Sequence, residues 1–259
     1  ADGRVLFAVP WLGKLILGTT DTPRQDLPLE PAPFERELDF ILREAAKYLR
    51  RAPTRADLLS TWVGLRPLVK PGDDDGQGAT KSISREHTVL VALSGLVTVT
   101  GGKWTTYRAM AEDVLTRCTQ AGVLLPRGRS RTAELPLVGA PAGTTARATG
   151  LSQPPGPRLS GAEAELLADL PGADRALAPG LSEAMVRFAA RHEYAVTVED
   201  MLARRSRLLF LDARLAARLA PRVAEILAHF RALAAARWDL AAYDAQVRES
   251  QARRWVGGR

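Results

Sequence analysis

Hydrophobic and polar positions repeat at two different periods along the chain. Val5 to Val9 and Leu15 to Thr19 are β-rich runs, and Pro10-Trp11-Leu12-Gly13-Lys14 between them predicts a hairpin with a loop slightly long for a tight turn. After a Pro-rich stretch from Pro23 to Pro33, the period changes. Phe34, Leu38, Ile41, Leu42, Ala45 and Leu49 recur at helical spacing and predict a helix from about Phe34 to Arg51. Leu59 to Leu68 reads as a strand ending at Arg66-Pro67, and Gly72-Asp73-Asp74-Asp75-Gly76-Gln77-Gly78 reads as a solvated loop tip. Two further strands follow, near Ser84 to Ala92 and Leu96 to Thr100. Then Gly101-Gly102-Lys103 opens a helix whose stripe is Tyr107, Met110, Ala111, Val114, Leu115 and Cys118, with Gly122 as its stop.

From Pro126 to about Pro157 the periodicity fades into Gly, Pro, Thr and Arg, the composition of a linker. Beyond it every signal is helical. Ser160 with Glu163 forms a capping box for a helix to about Leu170; Ser182 starts a second helix to about His192. Thr197 with Asp200 starts a third, and Asp212 or Pro221 opens a long final helix carrying Val223, Ile226, Leu227, Phe230, Leu233 and Trp238. The expected architecture is α/β over 1–125, a linker over 126–157, and a separate all-α domain over 158–259.

Composition narrows the class. The 259 residues, 46% hydrophobic and 25% charged, suit one large or two modest globular domains. No stretch approaches the ~18 uninterrupted apolar residues of a membrane-spanning helix. One cysteine, Cys118, and three dispersed histidines argue against a disulfide framework or a metal centre, and Cys118 falls on an apolar stripe as core filler. The opening Ala1-Asp2-Gly3 reads as the start of a piece of something longer.

The net charge of +7 is uneven. Residues 1–125 carry 16 Lys and Arg against 15 Asp and Glu, whereas 126–259 carry 20 against 14, all 20 being arginine. Interleaved acids favour ordinary surface helices, with an anionic membrane surface or an acidic protein face as the alternatives; nothing resembles a nucleic-acid motif.

Two places suit chemistry. The strand–Gly101-Gly102-Lys103–helix junction offers close backbone approach, helix N–H groups and one full positive charge, which fits a phosphate, a carboxylate or an electron-rich ring. A structural turn with Lys103 in solvent is the alternative. Arg66 and Arg85 lie at or near predicted strand ends, and two converging guanidinium forks make a phosphomonoester pocket. His87, nearby in sequence, is either a proton acceptor or a histidine with a structural hydrogen bond.

At these residues the chain resembles the FAD-dependent, respiratory glycerol-3-phosphate dehydrogenases. The resemblance rests on Arg4-Val5-Leu6-Phe7-Ala8-Val9-Pro10-Trp11, Gly18-Thr19-Thr20-Asp21-Thr22, Gly64-Leu65-Arg66-Pro67-Leu68, Ser84-Arg85-Glu86-His87 and Thr98-Val99-Thr100-Gly101-Gly102-Lys103-Trp104-Thr105-Thr106-Tyr107-Arg108. Past the linker it continues through Glu193-Tyr194-Ala195-Val196-Thr197 and Asp200-Met201-Leu202-Ala203-Arg204-Arg205.

The resemblance implies oxidation of sn-glycerol 3-phosphate to dihydroxyacetone phosphate, FAD as hydride acceptor and membrane quinone as electron sink. It implies that residues 1–125 form part of the FAD-binding and substrate or cap regions. It assigns Arg66 and Arg85 to the substrate phosphate and Gly101, Gly102, Lys103 and Thr105 to the turn beside the flavin, with His87 and Lys103 as catalytic candidates. It implies a protein peripheral to the cytoplasmic face of the cell membrane, with a homodimer as its candidate assembly. The dinucleotide fingerprint G-x-G-x-x-G does not occur in these 259 residues, so the chain alone is expected neither to hold FAD tightly nor to turn over. Glycerophosphate oxidase, which uses O2, and a non-catalytic assembly or membrane-docking module are the alternatives.

Overall fold

The computed structural model describes residues 6–26, 28–65, 86–126, 128–140 and 150–237, with side chains placed up to Phe230. They divide into two compact units, one formed by 1–20, 33–62 and 139–259, the other by 21–32 and 63–138.

The first unit opens with β1 (Phe7–Trp11) and β2 (Lys14–Gly18), antiparallel, with Trp11 opposite Lys14. The strands run closer to the tip than the sequence suggests. Leu12 and Gly13 both take positive φ, 48° and 79°, and close a two-residue turn that absorbs the chain reversal. That tip is docked: the N–H groups of Leu12 and Gly13 donate to the carbonyls of Leu151 and Ser152, and Leu12 is buried. Helix α1 spans Glu35–Ala45, stopping short of the expected Arg51. Its first turn is held by Glu37, whose Oε2 accepts the Phe34 N–H at 3.1 Å.

The expected strand after Leu59 has no strand partner among the described residues. Its first part is extended but pinned to the C-terminal helices: Leu59 O accepts from Ala213 N–H, Ser60 Oγ donates to Leu209 O, and Trp62 meets Phe210 edge-on at 5.3 Å. Residues 66–68 lie outside the described residues.

The C-terminal part is mainly, not wholly, helical. A 3-10 segment at Pro157–Leu167, broken at Gly161, stands where the Ser160 capping box predicted an α-helix. β5 (Ala176–Ala178) and β6 (Leu181–Ser182) then form a short ribbon, which corrects the all-α expectation. The ribbon turns at Pro179-Gly180, with Gly180 at φ 76°, the backbone a Pro-Gly turn provides.

Helix α3 (Glu183–His192) begins as expected, Ser182 Oγ accepting the Met185 N–H. Thr197 and Asp200 cap each other reciprocally, but the turn they start, Asp200–Arg205, is π-helical and closes with Ser206 N–H on Met201 O. A single turn, α4 (Leu208–Leu211), leads to α5 (Ala213–Arg237). Asp212, not Pro221, caps α5: its Oδ1 accepts the Leu215 N–H at 2.9 Å, and Pro221 lies inside the helix.

The core of this unit joins α3, the π-helical turn, α4 and α5 through Val186, Ala189, Met201, Leu208, Val223 and Ile226. Val186 and Val223 are fully buried, and each such side chain contributes about 1.5–3 kcal/mol of transfer free energy. Glu183 is buried beside this core. It accepts from Arg222 of α5 at 2.5 and 3.0 Å and from Arg187 at 2.9 Å, tying α3 to α5 by charge as well as packing.

The second unit contains β3 (His87–Val91), β4 (Val97–Gly101) and α2 (Tyr107–Gln120). The hairpin turns through Gly95 at φ 85°. On α2 the inward row is Met110, Val114 and Cys118, four apart, with Cys118 buried. Tyr107, Ala111 and Leu115 of the expected stripe are exposed, because a two-stranded ribbon covers a narrower face than a full sheet.

Candidate functional site

The β3–β4 register puts His87 directly opposite Gly101. Two features read separately in the sequence thus become one place. Gly101 and Gly102 follow one another at φ 75° and 91°, which bends the chain sharply out of β4. A Cβ on Gly102 would stand 2.5 Å from Met110 Cε and 3.2 Å from His87 Cβ. On that side the room left by the glycine is taken by the chain's own residues, which close α2 and β3 onto the bend.

After the bend, Lys103 is extended and exposed, and Trp104–Thr106 make one 3-10 turn into α2. Thr106 folds back, both its N–H and Oγ1 donating to Lys103 O at 3.0 Å. Thr106 makes no side-chain cap on the α2 amides, and no acidic residue stands in the first turn. The start of α2 therefore keeps its positive end uncompensated, with Lys103 and Thr105 exposed beside it. This donor set fits an electron-rich ring that gains negative charge.

His87 is half-buried and its Nε2 lies 2.9 Å from Asp113 Oδ2, one helical turn beyond Met110 on α2. Arg117 reaches the same carboxylate from 3.2 Å. The hydrogen bond to His87, reinforced by Arg117 and opposed by desolvation, holds the Asp113 carboxyl below its usual range. An ionised Asp113 accepts the N–H of Nε2, which leaves Nδ1 as the ring's second nitrogen. The sequence reading missed Met110 and Asp113 as partners of the bend. Their spacing of three on a helix that directly follows the glycines was the available signal.

His87, Gly101 and Gly102 are thus brought together, with Lys103 and Thr105 following in the chain. Arg66 and Arg85 lie outside the described residues. Among the described residues no three His, Cys, Asp or Glu side chains cluster as metal ligands, and no helix is long and apolar enough to cross a membrane.

Comparison with known proteins adds two family matches in chain order. Residues 1–108 match the FAD dependent oxidoreductase family, and residues 130–237 match the C-terminal domain of alpha-glycerophosphate oxidase. The mitochondrial glycerol-3-phosphate dehydrogenase of Arabidopsis thaliana is 40% identical over 255 residues, covering 88% of this chain and 40% of the relative. Its counterpart in Bos taurus is 39% identical over 250 residues, 88% of this chain and 33% of the relative. That of Schizosaccharomyces pombe is 33% identical over 308 residues, covering all of this chain and 46% of the relative. The chain spans less than half the length of these relatives. With both domain families present in sequence and relatives of this kind along nearly its whole length, the chain belongs to the FAD-dependent glycerol-3-phosphate dehydrogenases.

Proposed function

We propose that the protein carrying this chain oxidises sn-glycerol 3-phosphate to dihydroxyacetone phosphate and passes the electrons to membrane quinone. The reading is carried by 40% identity, across 88% of the chain, to a relative named for that dehydrogenase. FAD, when bound, supplies the acceptor for the hydride leaving C2 of the substrate.

The chain's own residues supply charge and placement. Arg66 and Arg85 take the substrate phosphate as paired guanidinium forks. Gly101, Gly102, Lys103 and Thr105 hold the flavin's ring at the bend, where Lys103 and the positive end of α2 favour added negative charge. His87 takes the proton of the C2 hydroxyl on Nδ1, while Asp113 fixes the ring through Nε2.

The test uses the complete protein loaded with FAD. Dye-linked oxidation of glycerol 3-phosphate is expected, and Arg85→Ala should weaken substrate binding by about 2–5 kcal/mol, as loss of a buried charge partner does. An unchanged KM in both Arg85→Ala and Arg66→Ala would remove the phosphate assignment. Reconstitution of the 259-residue chain alone should give no saturable flavin absorbance.

The match to a glycerophosphate oxidase domain favours one second reading, in which O2 takes the electrons. Stoichiometric hydrogen peroxide from the complete protein would establish it. For location, we propose a protein peripheral to the cytoplasmic face of an anionic membrane, a homodimer without affinity for nucleic acid. Relatives carry the word mitochondrial in their names, and the 20 arginines of residues 126–259 supply the attraction. Salt-sensitive pelleting with anionic liposomes tests the docking.

A further inference from the structure

We propose that the outer edge of β2 takes a further β-strand, supplied by the part of the same polypeptide that lies outside these 259 residues, while the outer edge of β1 stays free. The proposal rests on the hydrogen-bond register of the hairpin and not on the reaction assigned above.

Leu12 and Gly13, both at positive φ, make a two-residue turn, so the flanking pair Trp11–Lys14 exchanges the first bonds of the ladder. The alternation of an antiparallel pair then fixes the rest. Phe7–Gly18 and Val9–Ile16 also bond across the ladder, whereas Ala8–Leu17 and Pro10–Leu15 turn their backbone groups outward. The two outward rows differ. On β1 the row is Ala8 and Pro10, and a proline has no N–H to donate, so β1 has the sequence of an edge strand. On β2 the row is Leu15 and Leu17, each with a free N–H to offer and a carbonyl to accept. Among the described residues neither makes a backbone hydrogen bond beyond the hairpin.

The side chains point the same way. Lys14 is the only charged residue of the two strands, and strands apolar on both faces belong inside a larger sheet. Yet Phe7, Val9 and Leu15 stand 44%, 44% and 46% exposed. An apolar strand with unpaired backbone groups is a template for another strand, and a two-stranded ribbon is marginal by itself. A lipid or an apolar ligand would cover the side chains but leave the N–H and C=O groups of Leu15 and Leu17 unpaired, so a strand is the occupant that fits. The aligned stretch is 40% of the Arabidopsis thaliana relative, and most of a polypeptide of that length lies elsewhere to supply one.

Ala8 and Leu17 face each other across the ladder, and proline at either keeps every β1–β2 bond because both N–H groups point outward. The complete protein, loaded with FAD, is melted as wild type, Leu17→Ala, Leu17→Pro and Ala8→Pro, with its mass followed by light scattering. Leu17→Pro should melt on the order of 5 °C below Leu17→Ala, the difference being the lost strand pairing, and Ala8→Pro within about 2 °C of wild type. Hydrogen exchange of the wild-type protein reads the same edge without a variant. The Leu15 and Leu17 amides should exchange as slowly as Ile16, and the Ala8 amide at least about tenfold faster. The proposal is overturned by Leu17→Pro melting with Leu17→Ala, by Ala8→Pro costing as much as Leu17→Pro, or by fast exchange at Leu15 and Leu17. A Leu17→Pro protein that stays folded at half the wild-type mass overturns it too, since the occupant would then be a second copy of the protein.

Discussion

Nε2 of His87 lies 2.9 Å from Oδ2 of Asp113, and this bond joins the first residue of β3 to the middle of α2. With His87 opposite Gly101, the bond fastens the glycine bend to the helix that follows it. Asp113→Ala removes the fastening without touching the bend. Amide hydrogen exchange across Val97–Gly101 should quicken relative to wild type, while Asp113→Asn, which still accepts a hydrogen bond, should show a smaller change. Equal exchange in all three proteins would mean that packing alone holds the ribbon to α2.

The bend has a steric limit as well. At Gly102 an added methyl meets Met110 at 2.5 Å, and φ 91° is unfavourable for any residue with a Cβ. Gly102→Ala should lower stability by about 1–3 kcal/mol, read from urea unfolding. Pairing it with Met110→Ala removes the collision with Met110 but neither the 3.2 Å contact with His87 Cβ nor the dihedral strain, so recovery should be partial. Full recovery would show the dihedral to be harmless there.

How much of this was legible follows from where each interaction's partner sits. Ser182 and the Thr197–Asp200 pair act within three residues, and the sequence shows such caps directly. The bend itself was legible from Gly101 and Gly102. Its occupant was not, because Met110 is the residue that fills it and only the α2 packing shows which face turns inward. The β5–β6 ribbon escaped notice since three and two residues are too few to display alternation, although Pro179-Gly180 marks a turn. The segment after Leu59 has strand composition yet pairs with no strand among the described residues; helices far along the chain hold it, and composition carries no record of that partner. Glu183 reads as an ordinary first-turn acid and is instead the buried anion shared by Arg187 and Arg222.

That burial predicts an acid-sensitive fold. Arg222 above all, then Arg187, hold the Glu183 carboxyl below its usual range, with desolvation opposing them. A depressed folded value means the carboxylate stabilises the unit fully above about pH 4.3, the ordinary glutamate value, and the contribution disappears as pH falls through the folded value. Helical circular dichroism at 222 nm should show an acid transition that moves or flattens in Glu183→Gln. At pH 7, Glu183→Ala should cost about 2–3 kcal/mol, less than a fully buried pair because the arginines remain partly in water. A pH profile identical in wild type and Glu183→Gln would assign the acid transition to other carboxylates.

Pro221 raises a related question, since it stands inside α5 next to Arg222. A proline there lacks the N–H that would bond the carbonyl of Ala217, and its ring crowds that carbonyl. Because Pro221 is exposed, no packing of its ring offsets the loss. On helix energetics alone, Pro221→Ala should raise stability by up to about 3 kcal/mol. The alternative is that the distortion aims Arg222 at Glu183, in which case relieving it would loosen that bond and cancel the gain. The two are separated by measuring Pro221→Ala in wild-type and Glu183→Gln backgrounds by urea unfolding. Equal gains in both mean that the proline is simply a defect in the helix. A gain that appears only in the Glu183→Gln background, and vanishes in wild type, means that the proline and the buried carboxylate are coupled. Arg222 approaches Glu183 to 2.5 Å along a helix carrying this interruption one residue earlier, and that proximity makes coupling the outcome expected here.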